Sequence, residues 1–249
     1  MKRIQTPAFR YGEREFDIEY AKWGFHDEQT QLREAESVLR IAQPAGPLRV
    51  LDLACGRGVH AVEWAARGHQ VTGVDISETF LRMARERAAE RGVKAEFVVA
   101  DVEDFTGAGF DLVTWIEGAS FTEAILAKIH RWLRAGGRFL ADVRNPESPR
   151  FRRLNSNWRD WHEANGAFHL ERHETNPETG ERENVWVTID PAAGTIEERR
   201  EISLAVTLSE KMAILEATDF IDVELRTIGG EPFRGGEEPY WLWLTARKP

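Results

Sequence analysis

A short apolar run that breaks into a glycine turn, followed by two acids at the ends of later apolar runs, is the part of this 249-residue sequence best suited to chemistry. The first run and its turn read Val50-Leu51-Asp52-Leu53-Ala54-Cys55-Gly56-Arg57-Gly58, and a helical pattern begins at Val59. Gly56 and Gly58 allow the backbone to turn sharply and to approach a ligand with no Cβ in the way. The next apolar run ends in Asp75, which follows Gly58 at close to the ~20-residue offset where an acid meets ribose hydroxyls. A third run ends just before Asp101. Taken singly, a two-glycine turn is as often structural as ligand-binding, and a loop acid is usually only solvated. Three consecutive strand ends that carry a glycine loop, an acid and another acid make a stronger pattern, because a parallel sheet delivers all three to one edge.

The elements needed to hold these residues are visible in the surrounding pattern. Residues 49–54, 70–74, 95–99, 110–116 and 138–143 are short apolar runs separated by helical stretches, which read as buried parallel strands joined by crossover helices. Ser77 before an Ala/Arg/Glu-rich stretch that ends at Gly92 predicts a capped helix over 78–91. A second helix is predicted over 122–134, with Ala124, Ile125, Ile129, Trp132 and Leu133 at helical spacing and Ala135-Gly136-Gly137 as its stop. Residues 29–41 look helical, stopped by Pro44 and Gly46.

Beyond Asn145-Pro146 the rhythm changes. Residues 167–175, 181–189 and 195–206 read as three antiparallel strands separated by the turn-rich stretches 176–180 and 191–194. Val185, Val187 and Ile189 share one face of the second. Thr207-Leu208-Ser209-Glu210 has capping-box spacing before a helix that runs to Phe220, and strands near 223–228 and 240–246 close the chain. The expected fold class is α/β: a doubly wound, mostly parallel seven-stranded, Rossmann-like sheet with an antiparallel β-meander insertion after the fifth strand. The expected division is a helical N-terminal cap over 1–48, a Rossmann-like core over 49–145, the β insertion over 146–206, and a C-terminal helix with two last strands over 207–249.

In these motifs the sequence resembles the class I S-adenosylmethionine (SAM)-dependent methyltransferases, clearly over 49–143 and in outline elsewhere. Leu51-Asp52-Leu53-Ala54-Cys55-Gly56-Arg57-Gly58 is similar to the family's first motif, in the form with Cys-Gly-x-Gly, although Ala54 stands where many members carry a glycine. Val74-Asp75-Ile76-Ser77 is similar to the second, whose acid holds the ribose hydroxyls, and Ala100-Asp101-Val102 to the third, whose acid faces the adenine amine. Phe110-Asp111-Leu112-Val113 resembles the fourth, and Leu133-Arg134-Ala135-Gly136-Gly137-Arg138-Phe139 the Leu-x-x-Gly-Gly lead-in to the fifth strand. The resemblance implies SAM as cofactor and a cofactor-binding set of Asp52, Ala54, Cys55, Gly56, Gly58, Asp75, Ile76, Phe80, Asp101, Val102 and Trp115. Within that set Gly56 and Gly58 are expected against the amino-acid end of the cofactor, with Ile76 and Phe80 flanking the base. Trp115 reads equally as core.

Methyl transfer from a sulfonium is an in-line displacement, so the protein's main task is to align an electron-rich acceptor and exclude water. Acceptor-pocket candidates are Glu117, Arg144, Trp158, Trp161 and His162. Glu117 reads equally as a loop acid facing water, and no catalytic residue is assigned. His162, His169 and His173 read as surface histidines, and with only one cysteine, Cys55, no metal site is expected. The net charge of −9, from 42 acids and 33 bases, disfavours a polyanion as partner. The lone cysteine and the absence of an Asp/Asn-Pro-Pro-aromatic signature at Trp115-Ile116-Glu117-Gly118 argue against base methylation. A small-molecule acceptor is expected, with no nucleic acid or membrane partner. The insertion is expected to shape acceptor choice or to offer a homodimer surface. Charges interrupt every apolar stretch, and residues 1–10 hold no apolar signal run, so a soluble cytoplasmic protein is expected. Two other readings stand beside this one. A nicotinamide-dependent oxidoreductase is disfavoured by His60-Ala61 where glycine continuity would be wanted, and a SAM-binding protein without transfer retains every cofactor motif.

Overall fold

Successive residues of each short apolar run point to opposite faces of a sheet, and in this chain both faces are covered by helices. The computed structural model describes residues 1–5, 28–117, 121–149, 162–164, 166–175, 181–204 and 207–249. The elements are β1 (Lys2–Gln5), α1 (Glu28–Ala42), β2 (Arg49–Leu53), α2 (Val59–Ala66), β3 (Gln70–Asp75), α3 (Glu78–Glu90), β4 (Glu96–Val99), β5 (Phe110–Trp115), α4 (Glu123–Trp132) and β6 (Leu133–Arg144). They continue with β7 (His162–Ala164), β8 (Ala167–Thr175), β9 (Glu181–Asp190), β10 (Thr195–Leu204), α5 (Leu208–Ala217), β11 (Ile221–Thr227) and β12 (Trp241–Arg247).

Seven strands form one sheet in the order β11-β12-β6-β5-β2-β3-β4. Pairing is parallel from β6 through β4, and β12 runs antiparallel to both β6 and β11. The strand order reverses between β2 and β5, so the crevice of this doubly wound sheet opens at the carboxyl end of β2. On one face Leu51 and Leu53 of β2, Val113 and Trp115 of β5 and Phe139, Ala141 and Val143 of β6 pack with Ile125, Leu126 and Ile129 of α4 and Leu215 of α5. On the other, Val50, Leu112, Leu140 and Trp243 pack under Ala35, Val38 and Ile41 of α1 and Ala61 and Trp64 of α2.

Local chemistry accounts for the element ends. Ser77 Oγ accepts from Phe80 N at 3.0 Å and caps α3. Thr122 is the N-cap of α4. Gly136 and Gly137, read from sequence as a helix stop before the fifth strand, lie inside β6, which begins at Leu133 directly after α4. A register shift between Phe110 and Leu112 absorbs the irregularity, and a Cβ on Gly137 would lie 3.0 Å from the Phe110 carbonyl oxygen.

The meander grows beyond three strands. β8, β9 and β10 pair antiparallel, β7 adds to β8, and β1 pairs parallel with β10, giving the five-stranded order β1-β10-β9-β8-β7. Residues expected to lie in a helical N-terminal cap therefore supply an edge strand, held by Lys2 N donating to the Gly194 carbonyl at 2.7 Å and by Arg3 paired with Glu198 at 2.7 Å. The helix expected to run to Phe220 ends at Ala217, and Phe220 turns into the core. The compact units accordingly differ from the divisions read in the sequence. One gathers Met1–Phe25, Asn145–Thr207 and Gly236–Tyr240, and the other His26–Arg144, Leu208–Gly235 and Trp241–Pro249. Among the described residues no helix is long and apolar enough to cross a membrane.

Gly73 in β3 sets how closely the sheet and the turn after β2 approach. A Cβ there would sit 2.7 Å from Cys55 Sγ and 2.9 Å from Phe97 Cδ1. Overpacking of this kind costs about 1–3 kcal/mol, and Gly73→Ala is expected to lower unfolding stability by that amount in urea titration.

Candidate functional site

The turn after β2 is built from left-handed backbone. Ala54, Gly56 and Gly58 have φ of 50°, 51° and 71°. For Ala54 this conformation costs about 1–2 kcal/mol, a local strain of the sort found where a backbone is shaped for a ligand. Among the described residues Gly56 faces open space, with no atom within 4 Å of the place its Cβ would take. Gly58 differs from the expectation placed on it, because its missing Cβ is demanded by the protein itself: one would lie 2.7 Å from Ala84 Cβ and 3.3 Å from Phe97 Cε1. Gly56 is the open glycine, and Gly58 lets α3 pack closely against the turn. Gly58 also caps α2 with no side-chain acceptor on the first N–H groups of that helix.

Asp75 holds the turn. Its Oδ2 accepts from Gly56 N and its Oδ1 from Ser77 N, both at 2.8 Å. Cys55 N donates to the Val74 carbonyl at 3.0 Å, and burial pushes the Cys55 thiol well up from its ordinary value. A carboxylate has about four acceptor positions, so fixing the loop is compatible with receiving ribose hydroxyls. Ala100 N donates to the Asp75 carbonyl at 3.0 Å, which ties the third strand end to the second. Asp101 then closes a turn, with Oδ1 accepting from Glu103 N at 2.8 Å and its carbonyl accepting from Asp104 N and Phe105 N. Ile76 is 42% exposed beside Asp75, an unusual position for an isoleucine and one suited to cover a flat ring. Phe80 is buried in the first turn of α3, and Val102 packs against the core. Trp115 is in the core as well, and its Nε1 is buried with no partner among the described residues.

A polar layer, of which the sequence reading had only Asp52 and Glu117, continues the α1/α2 face of the sheet toward this edge. Asp52, Thr114 and Asp142 stand two residues beyond Val50, Leu112 and Leu140, so strand alternation brings them to the same face. Thr114 Oγ1 donates to Asp52 Oδ1 at 2.8 Å, while Asp52 Oδ2 is buried with no partner among the described residues. Burial raises the Asp52 pKa to about 6, against the opposing influence of the His60 charge and the Thr114 hydrogen bond. His60, in the first turn of α2, meets Glu34 of α1 at 3.1 Å. Burial works against its imidazolium, yet the Glu34 hydrogen bond and the charges of Asp52, Glu34 and Glu117 raise its pKa. Glu117 has φ of 63° and its N donates to Asp142 Oδ1. Burial raises the Asp142 pKa to about 6, opposed by that hydrogen bond.

The remaining acceptor-pocket candidates are placed as follows. Arg144, at the end of β6, lies over the Trp241 ring at 5.2 Å. Trp158 and Trp161 lie outside the described residues. His162 is in β7, in the other compact unit, opposite His169. His169 Nδ1 lies 3.1 Å from Thr188 Oγ1. His60, Glu34, Thr114 and Asp142 are the residues that sequence reasoning missed. The available signal was modest: a histidine and a glutamate on apolar helix faces, and polar residues continuing the inward alternation of three strands.

Residues 50–137 match a family described as a methyltransferase domain. The ubiquinone biosynthesis O-methyltransferase of Bordetella parapertussis is 34% identical over 147 residues, covering 51% of this chain and 59% of that protein. The malonyl-[acyl-carrier protein] O-methyltransferase of Erwinia pyrifoliae is 34% identical over 118 residues, 45% of this chain and 43% of that one. The chain thus spans about half the length of the curated relatives it matches. Among solved structures, the CcbJ methyltransferase of Streptomyces caelestis superposes with a TM-score of 0.72 at 18% identity, covering 93% of this chain and 96% of that one. A SAM-dependent methyltransferase of Clostridium acetobutylicum superposes at 0.70 and 15% identity, covering 94% and 98%. At these identities the structural likeness establishes the fold.

Between about pH 4 and 6 a buried acid whose pKa rises from 3.8 to about 6 on folding binds more protons folded than unfolded, so its contribution to stability falls as pH rises. Asp142→Asn keeps the shape and the acceptor for Glu117 N but does not ionise. Thermal unfolding across pH 4–7 is expected to show the variant gaining on the wild type as pH rises, by up to about 3 kcal/mol at 1.36 kcal/mol per pKa unit.

Proposed function

We propose, from the premise that this chain belongs to the class I SAM-dependent methyltransferases, that it transfers the SAM methyl group to a small-molecule acceptor. The observation that carries the reading is the edge itself. At the point where strand order reverses, three neighbouring strand ends present an open left-handed glycine, an acid that fixes the loop and a second acid tied to the first. Among the described residues the edge fits SAM: open space above Gly56, the exposed Ile76, and a buried Asp52 oxygen with no partner there, suited to a cation. When bound, SAM supplies a methyl group on a positively charged sulfur, which leaves as a neutral thioether.

In this reading Asp75 receives the ribose hydroxyls, Asp101 faces the adenine amine, Ile76 covers the base and the Gly56 backbone lies against the amino-acid end. The protein's contribution is alignment and exclusion of water. Glu117, in a left-handed conformation held by Asp142, is the residue proposed to meet the acceptor. A hydroxyl acceptor is favoured by the named activities of the curated relatives, which are O-methyltransferases. The net charge of −9 supports a small molecule over a nucleic acid. A homodimer formed through the five-stranded sheet remains part of the proposal, as does a cytoplasmic location.

Two measurements test this. Calorimetry is expected to show SAM binding, weakened roughly ten- to a hundredfold by Asp75→Ala, since hydrogen bonds to a charged group contribute about 1.5–3 kcal/mol. Tighter binding of NADH than of SAM would overturn the cofactor assignment. Incubation with isotopically labelled SAM and pooled metabolite fractions is expected to give a methylated product by mass spectrometry. Cofactor binding with no product from any fraction would favour a SAM-binding protein without transfer.

A further inference from the structure

Asp52 presents a problem that its own strand does not solve. It is a buried acid with one oxygen held by Thr114 and the other without a partner among the described residues. Burial favours its neutral form, in which it would lose most of its attraction for a cation. The charged groups nearby are mostly acids, which makes matters worse: Asp75 faces Asp52, and Glu34 and Glu117 face Asp142. Among the described residues His60 faces Asp52 and favours its charged form, and Arg144 does so for Asp142.

We propose that His60, anchored by Glu34, is a positioning residue that holds the Asp52 carboxylate ready for the ammonium end of the methyl donor. The proposal rests on the SAM reading given above and extends it to two residues outside the glycine loop and the strand-end acids. Its geometry is specific. His60 sits in the first turn of the helix that leaves the glycine loop, with its side chain buried and its Nε2 3.1 Å from Glu34 Oε2. Glu34 comes from α1, so the pair joins two helices over the face that carries Asp52. α1 has other ties to its neighbours. Trp64 Nε1 already donates to the Ala35 carbonyl at 3.0 Å, and Trp243 Nε1 donates to Ser37 Oγ at 2.8 Å. The buried His60 ring faces Glu34 from α1, Asp52 from β2 and Glu117 after β5, and these groups favour its proton against the cost of burial. Glu34 fixes the ring and favours its proton, and the ring's charge favours ionised Asp52. The ammonium of the cofactor is the cation whose chemistry suits the remaining Asp52 oxygen, because the two later strand ends face the ribose and the base.

The test compares ligands that do and do not carry the amino-acid end. Calorimetry on the full chain uses SAM, S-adenosylhomocysteine and 5′-methylthioadenosine, which keeps the base and ribose but lacks the ammonium and carboxylate. His60→Gln and Glu34→Gln are each expected to weaken SAM and S-adenosylhomocysteine about tenfold and to leave methylthioadenosine within about twofold. The ratio is taken within one protein preparation, so partial unfolding cancels, and Glu34→Gln carries the comparison if His60→Gln does not fold. The second readout is pH. Loss of S-adenosylhomocysteine binding on acidification is expected to begin at higher pH in His60→Gln than in the wild type, because Asp52 then protonates more readily. Equal weakening of all three ligands, or an acid limb that does not move, would overturn the proposal while leaving the SAM reading intact. Failure of the wild type to bind SAM would overturn both.

Discussion

The chain leaves β2 at the carboxyl edge of a parallel sheet and must turn there in left-handed backbone before α2 begins. Everything proposed for the edge depends on that turn being held, and the Asp75 carboxylate holds it by accepting from Gly56 N and Ser77 N together. One oxygen fixes the glycine loop and the other fixes the start of the next crossover. Two strand ends thereby become one rigid object, and Ala100 N on the Asp75 carbonyl adds the third. The strain at Ala54 is sustainable because its neighbours are fixed from β3, through Cys55 N on the Val74 carbonyl and Gly73 against Cys55 Sγ. Preorganisation of this kind suits the proposed methyl transfer, where alignment of the reactants lowers the barrier.

A second physical feature is the layering of the α1/α2 face. Its lower part is apolar, with Val50, Leu112, Leu140 and Trp243, and its upper part is Asp52, Thr114, Asp142 and the His60–Glu34 pair. Buried charges are unfavourable unless paired and hydrogen-bonded. The pairing here is incomplete at Asp52, whose Oδ2 has no partner among the described residues, and burial raises the pKa of both aspartates. An apolar layer would be the more stable choice. Under the proposed reading, retaining ionisable groups here trades stability for charge where a cationic ligand would be received.

The five-stranded unit follows different rules. Its strands carry charged residues on both faces, and Glu183 bridges Arg172 and Arg200 while Glu198 bridges Arg3 and Arg200. Ion pairs at or near a surface contribute little each, but cross-strand charge pairs favour one register over slipped alternatives. β1 completes the edge from a part of the chain remote in sequence, which leaves the edge of β10 covered.

Much of the seven-stranded unit was legible in the sequence, because parallel strands buried on both faces appear as short apolar runs and because Ser77 and the glycine turn mark boundaries by local chemistry alone. The strand-end acids Asp75 and Asp101 were legible for the same reason, as their positions follow from where the runs stop. Other features required the tertiary structure. The pairing of Lys2–Gln5 with β10 joins residues nearly two hundred positions apart, and nothing local in those four residues announces it. The separate duties of Gly56 and Gly58 depend on whether a neighbour lies where a Cβ would go, which is a fact about α3 and not about the loop. Likewise Glu34 and His60 carry no functional mark in sequence, and Asp52 carries one only through the family resemblance. They become a group only because two helices cross the face of the sheet at the level where its buried residues change from apolar to charged, and in that low-dielectric layer their charges act strongly on one another.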